Sequence, residues 1–219
     1  MSEFAAWCIF FSPLSSFAVI ALMRPLLGPQ NRLSGIITVA AVAISFVLSL
    51  IALGAVINAS GHDLGFKSHD WIKIGALAIR VGIVMNALTA VMLVVVTGVS
   101  LLVQVYGQEY MKGDPGYARY YAAMSLFTAS MLGLVMASNL VLLFVFWELV
   151  GLCSYLLIGH WMDRPAAADA AKKAFIVTRF GDLGFLIGIV WAYASTGTLE
   201  IAELHAMAAT GALGGAALT

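Results

Sequence analysis

Charged residues are scarce in this sequence. Asp, Glu, Lys and Arg together make up only 10% of its 219 residues, whereas they make up about 25% of an ordinary soluble domain. Hydrophobic residues make up 62% of the chain, and its mean hydropathy is +1.00. This composition excludes a soluble globular protein and predicts an integral membrane protein.

An excess of charge of either sign is also lacking, because the formal net charge is +0. Nothing in the charge balance therefore favours nucleic acid or an acidic macromolecule as a partner. The sequence has only two cysteines, Cys8 and Cys153, and both lie in apolar runs. That position favours buried thiols over a disulfide.

Binding motifs for nucleotides and redox cofactors are lacking too. The sequence contains no Gly-x-Gly-x-x-Gly, no Walker motif, no Cys-x-x-Cys and no pair of histidines within one apolar run. These are the patterns that bind dinucleotides, phosphates, iron–sulfur clusters and haem. We therefore expect this chain to bind no cofactor and no metal.

Long apolar runs are what the sequence has instead. Each of them is long enough to cross a bilayer as a helix. Between the second and the third run, polar and apolar residues alternate around Gly75-Ala76, and this pattern predicts a β-hairpin outside the hydrocarbon. The predicted fold class is an all-α polytopic membrane protein with about six transmembrane helices and a short external hairpin. The predicted spans are residues 7–27, 33–57, 88–106, 120–137, 140–161 and 170–194.

The same pattern divides the chain into four segments. Residues 1–58 form two transmembrane helices, 59–87 the hairpin segment, 88–194 a four-helix membrane segment, and 195–219 the start of an incomplete following segment. Residues 162–169 are predicted to form a polar loop. Residues 195–198 can cap a short helix that contains Glu200, Glu203 and His205.

The distribution of Lys and Arg predicts the orientation. Seven of these residues follow the first, third and fifth spans, and three lie on the opposite side; positive residues stay in the cytoplasm. The N-terminus and the hairpin are therefore predicted to lie outside. The seven are Arg24, Arg32, Lys112, Arg119, Arg164, Lys172 and Lys173, and the three are Lys67, Lys73 and Arg80.

One carboxylate lies deep within an apolar run. Glu148 occurs inside residues 144–160, and an acid at the centre of a membrane helix costs roughly 2.5–3.5 kcal/mol on insertion scales. Such a residue is a functional candidate that needs a partner. The next span offers Arg179 and Asp182, which fall near the same depth as Glu148.

Helical spacing puts Lys172, Phe175, Arg179 and Asp182 on one stripe. Arg179 and Asp182 are therefore candidate charge partners of Glu148, with Lys172 and Lys173 as weaker candidates. A carboxylate beside a movable cation can relay protons, because hydrocarbon favours the neutral acid and a near cation favours the carboxylate.

Purely structural roles remain open for several of these residues. The Arg179–Asp182 pair can simply make insertion tolerable, and Lys172 and Lys173 can extend to the cytoplasmic interface. His160-Trp161 is interpreted as an interfacial anchor.

Residues 146–159 and 173–182, reading FWELVGLCSYLLIG and KAFIVTRFGD, resemble the subunit L (chain 5) family of antiporter-like subunits of respiratory complex I, NADH:quinone oxidoreductase. Residues 95–100 and 110–120 share the resemblance. It implies that Glu148 translocates protons and that Arg179 and Asp182 occupy the charged positions of the family's sixth helix. Asn86 departs from the pattern, because an acidic residue is expected there.

The resemblance also implies the setting of the chain. It would be a non-redox subunit in a bacterial inner membrane, surrounded by lipid and by other membrane subunits, including a neighbouring antiporter-like one. NADH, FMN, iron–sulfur clusters and quinone would be bound by partner subunits. The alternatives are the large subunit of a Mrp-type sodium/proton antiporter or of an inorganic-carbon uptake complex, and, as a third hypothesis, a purely structural membrane subunit.

The family has a broken seventh helix with a lysine that partners the glutamate, and this sequence ends before such a helix. The chain is therefore expected to be an N-terminal part that is not active alone.

The orientation can be tested by labelling. With Cys8 and Cys153 replaced by serine, Lys112→Cys should react with a membrane-impermeant thiol reagent only from the cytoplasmic face, because positive loops are retained there. Reaction from the outer face would contradict the predicted topology.

Overall fold

The protein is a bundle of long helices with a small hairpin at one end. The structure, a computed structural model, describes residues 1–27, 32–66, 68–74 and 77–210. The predicted all-α fold with a hairpin is confirmed, and the short helix that was expected after residue 198 is present. The elements are α1 (Glu3–Leu27), α2 (Leu33–Ile57), a 3₁₀ turn (Ser60–His62), β1 (His69–Ile74), β2 (Leu77–Val81), α3 (Ala87–Tyr110), α4 (Tyr117–Met136), α5 (Leu140–Ile158), α6 (Pro165–Thr196) and α7 (Ile201–Ala209).

Of the six predicted spans, α4 differs from the others. Within the described ranges, five helices are long and apolar enough to cross a membrane, namely α1, α2, α3, α5 and α6. Helix α4 has 20 residues but packs against α1, α2, α3 and α5, so protein rather than lipid covers it. A helix that is surrounded by other helices can carry polar residues that form hydrogen bonds with its neighbours. This explains the lower hydropathy of α4.

Serine hydroxyls donate to two backbone carbonyls around Pro13 in α1. Proline has no N–H, so the carbonyl of Ile9 loses its helical donor. Instead, Ser45 Oγ of α2 donates to the Ile9 carbonyl at 2.8 Å, and Ser125 Oγ of α4 donates to the Pro13 carbonyl at 2.8 Å. These two bonds join α1 to α2 and to α4. Hydrocarbon would offer the carbonyls no other donors.

A second polar cluster joins α3 to α4. The side-chain amide of Gln104, which is fully buried, donates to Thr128 Oγ1 at 3.2 Å. Thr128 donates to Ser100 Oγ at 3.1 Å, and the Tyr121 hydroxyl donates to the backbone carbonyl of Gln104 at 2.9 Å. Each interhelical bond of this kind contributes about 0.6 kcal/mol.

The hairpin and the N-terminus lie at the same end of the bundle, here called the hairpin end. Strands β1 and β2 pair antiparallel, from His69 opposite Val81 to Ile74 opposite Leu77. His69 Nε2 lies 3.5 Å from a carboxylate oxygen of Glu3 in α1. This agrees with the prediction that both face one side; the predicted turn at Gly75-Ala76 lies outside the described residues.

The opposite end, here called the loop end, comprises residues 111–116 between α3 and α4 and 159–164 between α5 and α6. Asp114 accepts hydrogen bonds from Trp161 Nε1 at 2.8 Å and from Gly116 N at 2.6 Å, and its Oδ1 is 3.2 Å from His160 Nε2. Burial raises the pKa of Asp114, but these bonds outweigh it and hold that pKa below its ordinary value. Trp161 and the buried His160 therefore bind a loop, which the interpretation as an interfacial anchor did not include.

Several predicted boundaries were wrong by three residues or more, including the start of the first span, which is Glu3 instead of residue 7, and the end of the third, which is Tyr110 instead of residue 106. The fifth span was expected to reach residue 161, but α5 ends at Ile158. Residues 162–169 were expected to form a loop, but α6 begins at Pro165. Proline is well suited to the first turn of a helix, where its missing N–H has no intrahelical acceptor. Both cysteines are free thiols, as predicted.

Gly133 provides a test of how closely α4 and α5 approach. A Cβ at this position would lie 2.5 Å from Cε1 of Phe146 and 2.6 Å from two further atoms of that ring. Gly133→Ala should therefore lower the stability of the full-length protein by about 1–3 kcal/mol, measured as a fall in the midpoint of thermal unfolding in detergent.

The matched control is Gly54→Ala in α2, where no described atom lies within 4 Å of the added Cβ. It should leave the midpoint unchanged or raise it, because alanine favours helix. Equal midpoints for the two variants would contradict the close approach of α4 and α5.

Candidate functional site

The middle of α6 packs on the middle of α5 through aromatic rings. Phe185 of α6 makes edge contacts with Phe144 and Trp147 of α5, at ring-centroid distances of 5.7 and 6.1 Å. Nearer the loop end, Tyr155 and Phe175 lie 5.2 Å apart. Side chains between these contacts are consequently held against the facing helix.

The charged residues lie in that interval, and the structure brings the three main candidates together. Arg179 Nη1 forms an ion pair with the Glu148 carboxylate, and it lies 3.6 Å from Asp182 Oδ2. Arg179 Nη2 also donates to the backbone carbonyl of Glu148 at 3.2 Å. One guanidinium therefore lies within reach of two carboxylates; we call Glu148, Arg179 and Asp182 the charged triad.

The triad lies far from both membrane surfaces. Glu148 is eight residues from the start of α5 and ten from its end, which is about 12 and 15 Å along the helix axis. Arg179 is 14 residues from the start of α6 and 17 from its end, or about 21 and 26 Å. These charges are therefore near the middle of a hydrocarbon layer about 30 Å thick.

The triad is largely screened from its surroundings. The side chains of Arg179, Glu148 and Asp182 are 27%, 29% and 10% exposed, and the guanidinium lies 4.5 Å from the centroid of the Phe175 ring. The cluster has one more carboxylate than cations. Burying an unbalanced charge is costly, so this arrangement favours binding of a proton or of another cation.

Trp147 is a member of the site that the sequence did not predict. Its indole Nε1 donates to Asp182 Oδ1 at 2.9 Å, so Asp182 is held between this donor and Arg179. Helical periodicity gives no signal for it, because Trp147 is adjacent to Glu148 in sequence and adjacent residues do not share a helix face.

Lys172 and Lys173 are not part of the triad. Both are exposed, and Lys172 Nζ lies 3.7 Å from an oxygen of Asp169 in the same helix. They lie six or seven residues before Arg179, about 10 Å toward the loop end. Of the predicted stripe, Phe175, Arg179 and Asp182 therefore belong to the site. Lys172 lies outside it, on the exposed first part of α6.

A partly open cavity of about 410 Å³ adjoins the triad. It has room for several water molecules, each of which occupies about 30 Å³ in the liquid. Arg179 Nε is buried and has no hydrogen-bond partner among the described residues. The cavity is lined by Phe144, Glu148, Arg179, Phe180, Asp182, Leu183 and Leu186.

Two family models match the sequence. The model described as NADH:quinone oxidoreductase/Mrp antiporter, TM, matches residues 137–218, which include the whole triad. The model described as NADH-ubiquinone oxidoreductase (complex I), chain 5 N-terminus, matches residues 71–121. The chain belongs to this family of antiporter-like membrane subunits. It is a multi-pass membrane protein, as the five long apolar helices among the described residues also indicate.

Individual relatives agree with this assignment. The chain is 40% identical to NAD(P)H-quinone oxidoreductase chain 5 of Synechocystis sp., over 96% of this chain and 32% of the relative. It is 49% identical to the chloroplastic subunit 5 of Chlorokybus atmophyticus, over 72% of this chain and 24% of the relative. The chain therefore spans about a third or less of the length of these relatives.

Two solved structures share the fold. A chain of the Mrp complex from Dietzia sp. matches 90% of this chain with a TM-score of 0.70 and 29% identity, and 20% of that chain is covered. A chain of an archaeal membrane-bound sulfane sulfur reductase matches 93% with a TM-score of 0.75 and 21% identity, and 39% of that chain is covered.

The hydrogen bond from Trp147 to Asp182 leads to a stability prediction. Trp147→Phe keeps an aromatic ring near Phe185 but removes the donor, so it should destabilise the full-length protein by about 1–3 kcal/mol. Thermal unfolding in detergent measures this loss. The control, Trp191→Phe on the exposed side of α6, where Trp191 is 63% exposed, should cost much less; an equal cost would show that ring size, not the bond, matters.

Proposed function

We propose that this chain is the N-terminal part of the proton-translocating membrane subunit of an NADH:quinone oxidoreductase. In this proposal Glu148 carries the proton, and Arg179 and Asp182 are its charge partners. The observation that carries the proposal is the position of one guanidinium between two carboxylates at mid-membrane depth. The chain 5 relatives support the choice of complex.

The mechanism follows from the charge balance. While Arg179 pairs with Glu148, that acid is stabilised as a carboxylate. If the guanidinium moves toward Asp182, which needs only a small shift from its distance of 3.6 Å, Glu148 loses its counter-ion. It then takes a proton from water in the adjoining cavity, and it releases that proton when Arg179 returns.

Electron transfer belongs to other subunits in this proposal. NADH, FMN, iron–sulfur clusters and quinone would be bound by partners, and this chain would be a non-redox subunit beside another antiporter-like subunit. The N-terminus and hairpin would face the outside of a bacterial inner membrane, in accord with the Lys and Arg distribution. The described part alone would not conduct protons, because the triad adjoins an open cavity that further chain or another subunit would close.

A sodium/proton antiporter is the second candidate. The 29% identity to a chain of the Mrp complex over 90% of this chain favours it. The same triad would serve there, because a proton is exchanged in both reactions. Transport that is driven by a sodium gradient in the absence of NADH would identify the antiporter.

Glu148→Gln in the complete complex tests the proposed role. Glutamine keeps the size and hydrogen bonding of the side chain but cannot exchange a proton, so proton translocation should fall roughly tenfold or more. The measurement is the number of protons translocated per NADH oxidised in reconstituted vesicles, with assembly checked on the same preparation.

Glu109→Gln is the matched control. Glu109 is an exposed acid at the loop end of α3, where it pairs with Lys112 at 2.6 Å, and its loss should leave translocation unchanged. A fully assembled Glu148→Gln complex with the wild-type number of protons per NADH would refute the proposed role of Glu148.

A further inference from the structure

A second polar cavity lies at the hairpin end, away from the charged triad. Its volume is about 520 Å³. The segment before β1 contributes Asp63 to its wall, the start of α3 contributes Asn86, and the turn between α4 and α5 contributes Ser138. Glu200 and His205, at the start of α7 and within it, add further polar groups to the lining.

The hydroxyl of Ser138 indicates that this cavity holds water. Ser138 is only 8% exposed, and its Oγ has no hydrogen-bond partner among the described residues. A buried polar group without a partner is costly, and most such groups bind ordered water. The cavity supplies the space, and the side chains of Asp63, Asn86 and Glu200 supply further polar partners for the water.

Glu200 is the titratable group best placed to exchange protons with that water. It also lines a smaller cavity of about 170 Å³, together with Arg80 and Glu203, so it lies between two spaces. Burial raises the pKa of Glu200, the positive charge of Arg80 opposes this, and Glu203 adds to it. The protonated form of Glu200 therefore persists to higher pH than in an ordinary glutamic acid.

The charged groups around Glu200 come from every neighbouring element. Arg80 of β2 lies 3.2 Å from Asp70 of β1 and 3.8 Å from Glu203 of α7. Asp63 and His205 face the larger cavity. Arg80 is thus shared with two other carboxylates and only partly compensates the charge of Glu200.

We propose that the cavity at the hairpin end is a hydrated proton-binding site in which Glu200 takes a proton from water and returns it. Ser138 lies just before α5, and the start of that helix is eight residues, about 12 Å along its axis, from Glu148, so this site is separate from the triad. The proposal does not depend on the role of Glu148, and its test does not measure transport.

Thiol labelling tests both parts of the proposal in the complete, detergent-solubilised protein. Ser138→Cys is combined with Cys8→Ser, and its reaction rates with a cationic and an anionic methanethiosulfonate reagent are measured at pH values from about 5 to about 8. The fully buried Cys153 serves as an internal control and should not react. The ratio of the two rates removes the pH dependence of the thiol itself.

The expected result is that Ser138→Cys reacts and that the ratio of cationic to anionic rates rises roughly two- to fivefold with pH, as Glu200 becomes negative. Adding Glu200→Gln should remove most of the rise. Adding Glu203→Gln should lower the ratio but leave the rise, and adding His205→Gln should leave most of it.

Two outcomes would overturn the proposal. If neither Ser138→Cys nor the exposed cavity-lining variant Ala202→Cys reacts faster than Cys153, water does not reach the cavity. The second variant also covers the case in which Ser138→Cys fails to fold. If the rise persists in Glu200→Gln, or if His205→Gln removes it, Glu200 is not the group that binds the proton.

Discussion

The site depends on one guanidinium, that of Arg179, which is the counter-ion of two carboxylates within the hydrocarbon layer. Arg179 pairs with Glu148 and lies 3.6 Å from Asp182. None of these charges would be tolerated at that depth without the others, because an isolated buried ion costs far more than a paired one. Arg179 cannot neutralise both acids at once, so the cluster binds a proton more readily than an evenly balanced pair would.

Two serine hydroxyls of the bundle are satisfied in a different way. The hydroxyl of Ser45 replaces the N–H that Pro13 lacks, and Ser125 fixes α4 to α1. These bonds are between neutral groups, and they stabilise the packing of the helices. The charged triad differs because it carries one carboxylate more than it has cations.

The sequence predicts most of the fold and part of the site, and the remaining contacts show why the prediction stops there. Glu148, Arg179 and Asp182 could be found because a charge inside an apolar run violates a strong local rule. Trp147 could not, because an indole at a membrane helix is ordinary until its partner on α6 is known. The contact of His160 with Asp114 joins residues 46 positions apart, and Pro165 fits a loop as well as the first turn of a helix.

The hydrogen bonds at the two ends of α5 indicate which part of the site can move. At the hairpin end Asn139 accepts from Leu142 N at 2.9 Å and donates to the Arg80 carbonyl, and at the loop end Trp161 binds Asp114. Helix α6 packs mainly on α5, and the segment after it is held to the start of α5 by hydrogen bonds from Leu140 N to the Leu199 carbonyl and from Ile201 N to the Ser138 carbonyl. Both helices are therefore held at both ends, and a change in pairing would arise from rotation of the long Arg179 side chain rather than from movement of either helix.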